Sequence, residues 1–246
     1  MIFSLIKNKL RYTKLHHFIL SFINPKYTKW LYREIKFHKK FLKKNDLIFD
    51  IGANRGDKTF IFSKVARKII AYEPEDKMFS ILVNRFTEKN IILKKKLLSD
   101  KIKKNNFYIV KDNEAYSSII KKSHKIFKNI VHGKVIVKKK LSTTLNVEIK
   151  KFGIPKYIKI DCEGAEKLIL KNVNYTIPVI SFEVNLPEFF NECKSIIMNF
   201  NNKELLKYNV RLNHKYEFFF KKNINYRKCL NFLKDKNFNV EVFVFS

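Results

Sequence analysis

Carboxylates set beside glycines carry most of the chemistry this chain could perform. In Asp46–Thr59, DLIFDIGANRGDKT, the apolar residues Leu47, Ile48, Phe49 and Ile51 have the composition of a buried parallel strand and run directly into a loop bearing Gly52 and Gly56. Glycines leave room for a ligand to approach the backbone, and with Asn54 between them they form the candidate cofactor loop. Asp50, at the mouth of that loop, discriminates among cofactors. A carboxylate there repels a dinucleotide pyrophosphate but suits the ammonium and sulfonium charges of S-adenosylmethionine, and the loop lacks G-x-G-x-x-G spacing. A second apolar run, Ile69, Ile70, Ala71 and Tyr72, ends in Glu73, where a carboxylate can accept hydrogen bonds from both hydroxyls of a ribose. Either acid alone reads as a solvated turn residue. The order strand, glycine loop, helix, strand, acid favours a binding site.

A second acidic group follows later in the chain. A strand over Tyr157–Ile160 delivers Asp161 and Glu163 to its carboxyl end, and one over Val179–Phe182 brings Glu183, with Asn185 two residues on. A carboxylate within reach of a hydroxyl raises its nucleophilicity by proton removal, worth about 10²–10⁴ in rate, and in-line alignment with a methyl donor adds about 7–11 kcal/mol. Asp161, Glu183 and Asn185 also resemble, by position, the oxygen ligands of magnesium-assisted methyl transfer. Glu183 reads equally as a strand cap or a holder of a substrate hydroxyl, and no metal is assigned.

These residues need elements to hold them. Phe3, Leu5, Ile6, Leu10, Leu15, Phe18, Ile19 and Phe22 fall near helical spacing with basic residues between, a segment that packs on the domain or lies on a membrane, packing being preferred. Asn24-Pro25 ends it, and a second helix over Lys26–Leu42 offers Trp30, Leu31, Ile35 and Leu42 as its buried side. Residues 1–45 are thus expected to form a helical segment and 46–246 the main domain. A helix over Asp76–Phe86 precedes a third strand within Ile91–Leu98, ending at Ser99-Asp100. Asp100 is there placed to accept from an adenine amino group or to serve as a plain turn residue. Alternation over Asn106–Val110 and Lys134–Val137 reads as an inserted hairpin carrying Tyr116, Ser117 and Ser118 beside the substrate pocket. Glu166 falls on a helix after Gly164, exposed or structural. His16, His17 and His38 belong to the N-terminal helices, while His124 and His132 flank the insertion. The aromatic region Tyr208–Phe220, which contains His214, and Val240–Phe245 supply the last two of seven strands, joined by a helix over Tyr226–Lys234.

The segments FDIGANRGDKT, AYEPE, LSTTLN, FGIPKYIKIDCEGAEKLILKN and ISFEVNLPEF resemble, in order, the blocks of the FkbM family of S-adenosylmethionine-dependent methyltransferases. KIDCEGAE is the most specific of them, and Asn146 stands where the family usually has aspartate. The resemblance implies an α/β, Rossmann-like class I methyltransferase with a mostly parallel seven-stranded sheet and an antiparallel last strand. It also implies O-methylation, with a hydroxyl of a sugar, glycan or small natural product as the preferred acceptor.

Composition bounds the alternatives. Three cysteines, Cys162, Cys193 and Cys229, are too dispersed for a disulfide framework or zinc site, and no apolar run is long enough to span a membrane. A cytoplasmic enzyme without an export leader is the expectation, its oligomeric state open. The net charge of +30 arises from lysines interleaved throughout, which read as a solvated surface rather than a nucleic-acid site. Methylation of RNA is the competing activity, but the position after the fourth core strand reads DCEG rather than the D/N-P-P-aromatic turn of adenine methylases. A non-catalytic cofactor-binding or membrane-surface module is the third reading, and the intact acids argue against it.

Overall fold

The structure is a computed structural model that describes residues 13, 15–111, 113–122, 134–200, 204–212 and 215–246. Phe3, Leu5, Ile6, Leu10, His124, His132 and His214 lie outside the described residues, as does the His16 side chain. Two helices come first, α1 (Leu15–Ile23) and α2 (Pro25–His38). Asn24 caps α2 by accepting from the Tyr27 amide, and Pro25 takes a first-turn position whose N–H would have no intrahelical partner. Then follow β1 (Leu47–Ile51), α3 (Asp57–Ser63), β2 (Lys68–Tyr72), α4 (Asp76–Arg85), β3 (Ile91–Lys94), β4 (Leu97–Leu98), β5 (Lys104–Val110) and β6 (Val135–Thr143). The chain continues through α5 (Leu145–Phe152), β7 (Tyr157–Ile160), α6 (Glu166–Leu170), β8 (Val179–Asn185), α7 (Phe190–Asn199), β9 (Lys207–Leu212), α8 (Tyr226–Lys234) and β10 (Asn239–Phe245).

Seven strands form one sheet in the order β3-β2-β1-β7-β8-β10-β9. Its pairs are parallel except those of β10, which runs antiparallel to both β8 and β9. This is the Rossmann-like arrangement expected from the sequence. Strand order reverses between β1 and β7, and the crevice outside the carboxyl ends of strands at such a reversal is where open α/β sheets bind ligands.

The period of two in each strand sorts side chains between two cores. Phe49, Ile51, Ile70, Tyr72, Ile158, Ile160 and Phe182 face α5–α8. Ile48, Ile69, Ala71, Tyr157, Val179 and Phe243 face α2, α3 and α4, packing on Phe37, Ile61, Phe62 and Leu82. The second face does not stay apolar toward the carboxyl edge. By the same alternation it carries Asp50, Lys159, Ser181, Glu183, Glu241 and Arg211.

Three expectations are corrected. The third strand is two pieces: β3 stays in the main sheet, the chain kinks at Lys95-Lys96, and β4 pairs in parallel with β6 in a separate three-stranded sheet, β4-β6-β5. The inserted hairpin is real, β5 and β6 being antiparallel, but β6 is longer than expected because it also serves β4. The buried side of α2 is partly ionic, since Glu34, Phe37 and His38 are its buried residues. Glu34 accepts from Lys58 at 2.7 Å and from Arg211 on β9, tying α2 to α3 and to the far edge of the sheet. Lys58 and Arg211 outweigh burial and hold its carboxyl down at about 2.

Candidate active site

An open cleft of about 630 Å³, part of it bulk solvent, lies outside the ends of β1, β2 and β7. Gly52, Asn54, Glu73, Asp161 and Glu163 all line it. The backbones on either side nearly touch there: a Cβ on Gly52, at φ +80°, would sit 1.8 Å from the Asp161 carbonyl oxygen. Only glycine lets the loop after β1 pass the loop after β7. Glu73 is buried, accepting from the amides of Asn54 and Glu75 at 2.8 Å each, and burial pushes its carboxyl up to about 7. Each of its oxygens keeps a lone pair for a further donor.

The rest of the cleft comes from the insertion. Leu97 and Leu98 of β4, Phe107 of β5 and Ile119 give it an apolar wall, and Ser117 and Ser118 line it as the sequence led us to expect. Ser118 Oγ donates to the Cys162 carbonyl at 3.3 Å, so the insertion is pinned to the loop after β7. Asn54 Oδ1 and Ser117 Oγ are buried without a hydrogen-bond partner among the described residues. Orphaned polar atoms are uncommon in folded chains, and a polar ligand in the cleft would satisfy them.

Four expected residues lie outside this lining. Asp50 is fully buried beneath α3, because it shares the face of Ile48. Its Oδ2 accepts from Thr59 Oγ1 at 2.6 Å, its Oδ1 has no partner among the described residues, and burial raises its pKa against the pull of Lys159. Gly56 caps α3 at φ +87°, and a Cβ there would meet the Phe86 ring at 2.3 Å; its conformation and its packing, not ligand approach, require glycine. Asp100 follows β4 away from the main sheet and lines a separate depression with Asn146 and Asn172. It pairs loosely with Lys103, 3.6 Å away. Glu183 lies inside β8, which runs three residues beyond the expected end, and lines a second hollow of about 460 Å³ on the α3 side.

That hollow is lined by Lys58, Lys159, Asp161, Glu183, Arg211 and Glu241, so Asp161 belongs to both cavities. Lys159 Nζ donates to Asp161 Oδ2 at 2.8 Å. Burial opposes the lysine's charge, but Asp161 and Asp50 outweigh it and raise its pKa. Asp161 and burial push Glu183 up to about 8, and burial, then Asp161 and Glu183, carry Glu163 well above the ordinary carboxyl range. Two glutamates beside a carboxylate that already holds the nearest lysine are pushed up in this way. Glu163 also holds φ at +51°, ahead of Gly164 at +94°, a left-handed geometry that costs a non-glycine residue about 1–3 kcal/mol and recurs at functional sites. Among the described residues, no group of three or more His, Cys, Asp or Glu is arranged to hold a metal ion.

The sequence reading missed Lys159, Thr59 and Arg211. Lys159 was legible as a lysine inside an apolar strand, YIKI, a position that demands a buried counter-charge. Glu166, expected exposed or structural, is buried and accepts from the Cys162 amide at 2.8 Å. Asn146 is structural too: it donates to Asn172 O at 2.6 Å and accepts from the Asn174 amide at 3.0 Å, joining α5 to the turn after α6.

A family model described as the methyltransferase FkbM domain matches residues 50–227. The chain belongs to the FkbM methyltransferase family. It is therefore an S-adenosylmethionine-dependent methyltransferase. A methyltransferase FkbM from Methylobacillus flagellatus KT is similar in structure, with 13% identity and a TM-score of 0.50 over 90% of this chain and 50% of that one. A precorrin-6y C5,15-methyltransferase from Geobacter metallireducens GS-15 shows 11% identity and a TM-score of 0.46, over 87% and 88% of the two chains. For an rRNA methylase from Streptococcus thermophilus the values are 9% and 0.42, over 86% and 93%. No curated protein matched the sequence. The residues of the FkbM chain fit the cofactor: the cleft offers two orphaned polar atoms, an apolar wall and a carboxylate with free lone pairs.

Proposed function

We propose that this FkbM methyltransferase transfers the methyl group of S-adenosylmethionine to a hydroxyl oxygen of a sugar, glycan or small hydroxylated metabolite. The observation that carries the reading is that Asp161 lines both cavities. The cleft is the cofactor side, where Glu73 would hold the ribose hydroxyls, Leu97, Leu98 and Phe107 would receive the adenine, and Asn54 Oδ1 would accept from a polar group. Asp50 would act from behind the loop as a buried carboxylate. The hollow is the acceptor side. Its lysines and arginine donate while Glu183 and Glu241 accept, and a polyol satisfies both kinds of partner.

The bound cofactor supplies an electrophilic methyl carbon. A carboxylate of the Asp161–Glu163 pair would orient the acceptor hydroxyl toward that carbon and take its proton as the methyl group is transferred, the cofactor leaving as S-adenosylhomocysteine. Lys159 fixes the Asp161 carboxylate through its 2.8 Å bond. A methyl-transfer screen with radiolabelled cofactor over glycans, nucleotide sugars, hydroxylated metabolites and RNA tests the acceptor. Transfer to RNA alone would replace the acceptor class. Calorimetry is expected to show binding of S-adenosylmethionine and S-adenosylhomocysteine but not NAD, and the reverse result would overturn the cofactor side.

A further inference from the structure

We propose that α1 docks this enzyme on an anionic membrane surface, lying in the interface without crossing the bilayer. One face of α1 belongs to the protein: the His17 ring stacks on Phe60 of α3 with centroids 3.9 Å apart, and the helix packs along α2. The other face is apolar and, among the described residues, uncovered. Leu15, Phe18, Phe22 and Ile23 are 54%, 60%, 73% and 66% exposed, and the Phe18 and Phe22 rings contact each other, 4.7 Å apart, rather than the core. Of the segment expected to pack, the structure describes residues 13 and 15–23, and in α1 packing accounts for one face.

Charge selects the occupant. Residues 1–33 contain seven lysines and arginines (Lys7, Lys9, Arg11, Lys14, Lys26, Lys29 and Arg33) and no aspartate or glutamate. The first acid, Glu34, is buried and neutralised by Lys58 and Arg211. Lys26, Lys29 and Arg33 are exposed on α2, next in sequence to the apolar face. An apolar stripe rimmed by cations is the pattern of a helix lying in an anionic headgroup layer, where each nearby lysine or arginine adds attraction. RNA would answer the charge but leave Phe18, Phe22 and Ile23 in water, and a second copy of this face would bring like charges together. No helix among the described residues is long and apolar enough to cross a membrane.

Co-sedimentation of the full chain with vesicles of phosphatidylcholine, alone or mixed with phosphatidylglycerol, tests the proposal. Wild type is expected to pellet with the mixed vesicles. Phe18→Ser with Phe22→Ser should lower partitioning by about tenfold or more at any salt, since it removes the inserted groups without changing the charge. Lys26→Glu with Lys29→Glu should lower it mainly at low salt, where the attraction is unscreened. All these side chains are exposed, and a melting curve matching wild type verifies that each variant is folded. No pelleting of wild type, or equal pelleting of the Phe18/Phe22 variant, would overturn the proposal. So would a wild-type dimer in vesicle-free solution that the Phe18/Phe22 variant converts to monomer. None of these results bears on methyl transfer to soluble acceptors.

Discussion

Glu163 and Glu183 both crowd the Asp161 carboxylate. With Lys159 committed to Asp161 at 2.8 Å, the remaining negative charge falls on Glu163 and Glu183, both of which take up protons more readily than a free glutamate. Removing a carboxylate without changing its shape separates binding from chemistry. Asp161→Asn or Glu163→Gln is expected to leave S-adenosylhomocysteine affinity within about twofold while lowering methyl transfer about a hundredfold, or about 2.7 kcal/mol of barrier. Wild-type turnover in both amides would remove these residues from the chemistry. Asp161 and Glu163 were legible because KIDCEGAE places them at a strand end. That Glu183 faces the hollow rather than the cleft was not, because it depends on how far β8 continues.

At the scale of elements, the site depends on two loops meeting at Gly52. The loop after β1 and the loop after β7 come from segments more than a hundred residues apart, and they approach so closely that a methyl group would overlap the Asp161 carbonyl. Gly52→Ala must also adopt φ +80°. It should cost about 1–3 kcal/mol or more by urea unfolding and abolish cofactor binding together with it. An alanine variant that keeps wild-type stability and affinity would mean that the loops have freedom the structure does not show. The insertion acts on the same cleft from the other side, β4 and β5 providing its apolar wall.

Across the whole molecule, burial of acidic groups links stability to pH. Glu73 and Glu166 titrate at about 7 in the folded chain and Glu183 at about 8, against about 4.3 for a free glutamate. Between those values the folded state binds protons that the unfolded state has released, so stability falls as pH rises toward 8. Two groups work the other way at lower pH. Burial lowers His38 to about 3, and its cationic partners hold Glu34 at about 2, so both contributions are complete by about pH 6.5. Thermal melts of the ligand-free enzyme should therefore show a lower Tm at pH 9 than at pH 6.5, and Glu183→Gln should reduce the difference. A Tm that rises over this interval would contradict the burial of these carboxyls.

The sequence by itself determined what depends on near neighbours. Apolar runs bounded by glycine and acid marked β1, β2 and β7, Tyr157–Ile160 and Tyr226–Lys234 have the bounds expected, and the FkbM blocks carried the sheet order with them. Tertiary structure alone decided what depends on partners distant in sequence. Glu34 reads as one more polar residue on an amphipathic helix until Arg211 reaches it from β9. Asp50 lies at the mouth of the loop in sequence, but the strand's alternation turns it under α3 to Thr59. Asp100 reads in sequence as the end of a core strand, and β6 instead draws β4 and the residues after it out of the main sheet. In each case local pattern specifies an element and its polar positions. Which partner satisfies a buried charge, or which face of a helix is left uncovered, is settled only when segments far apart in the chain compete for the same space.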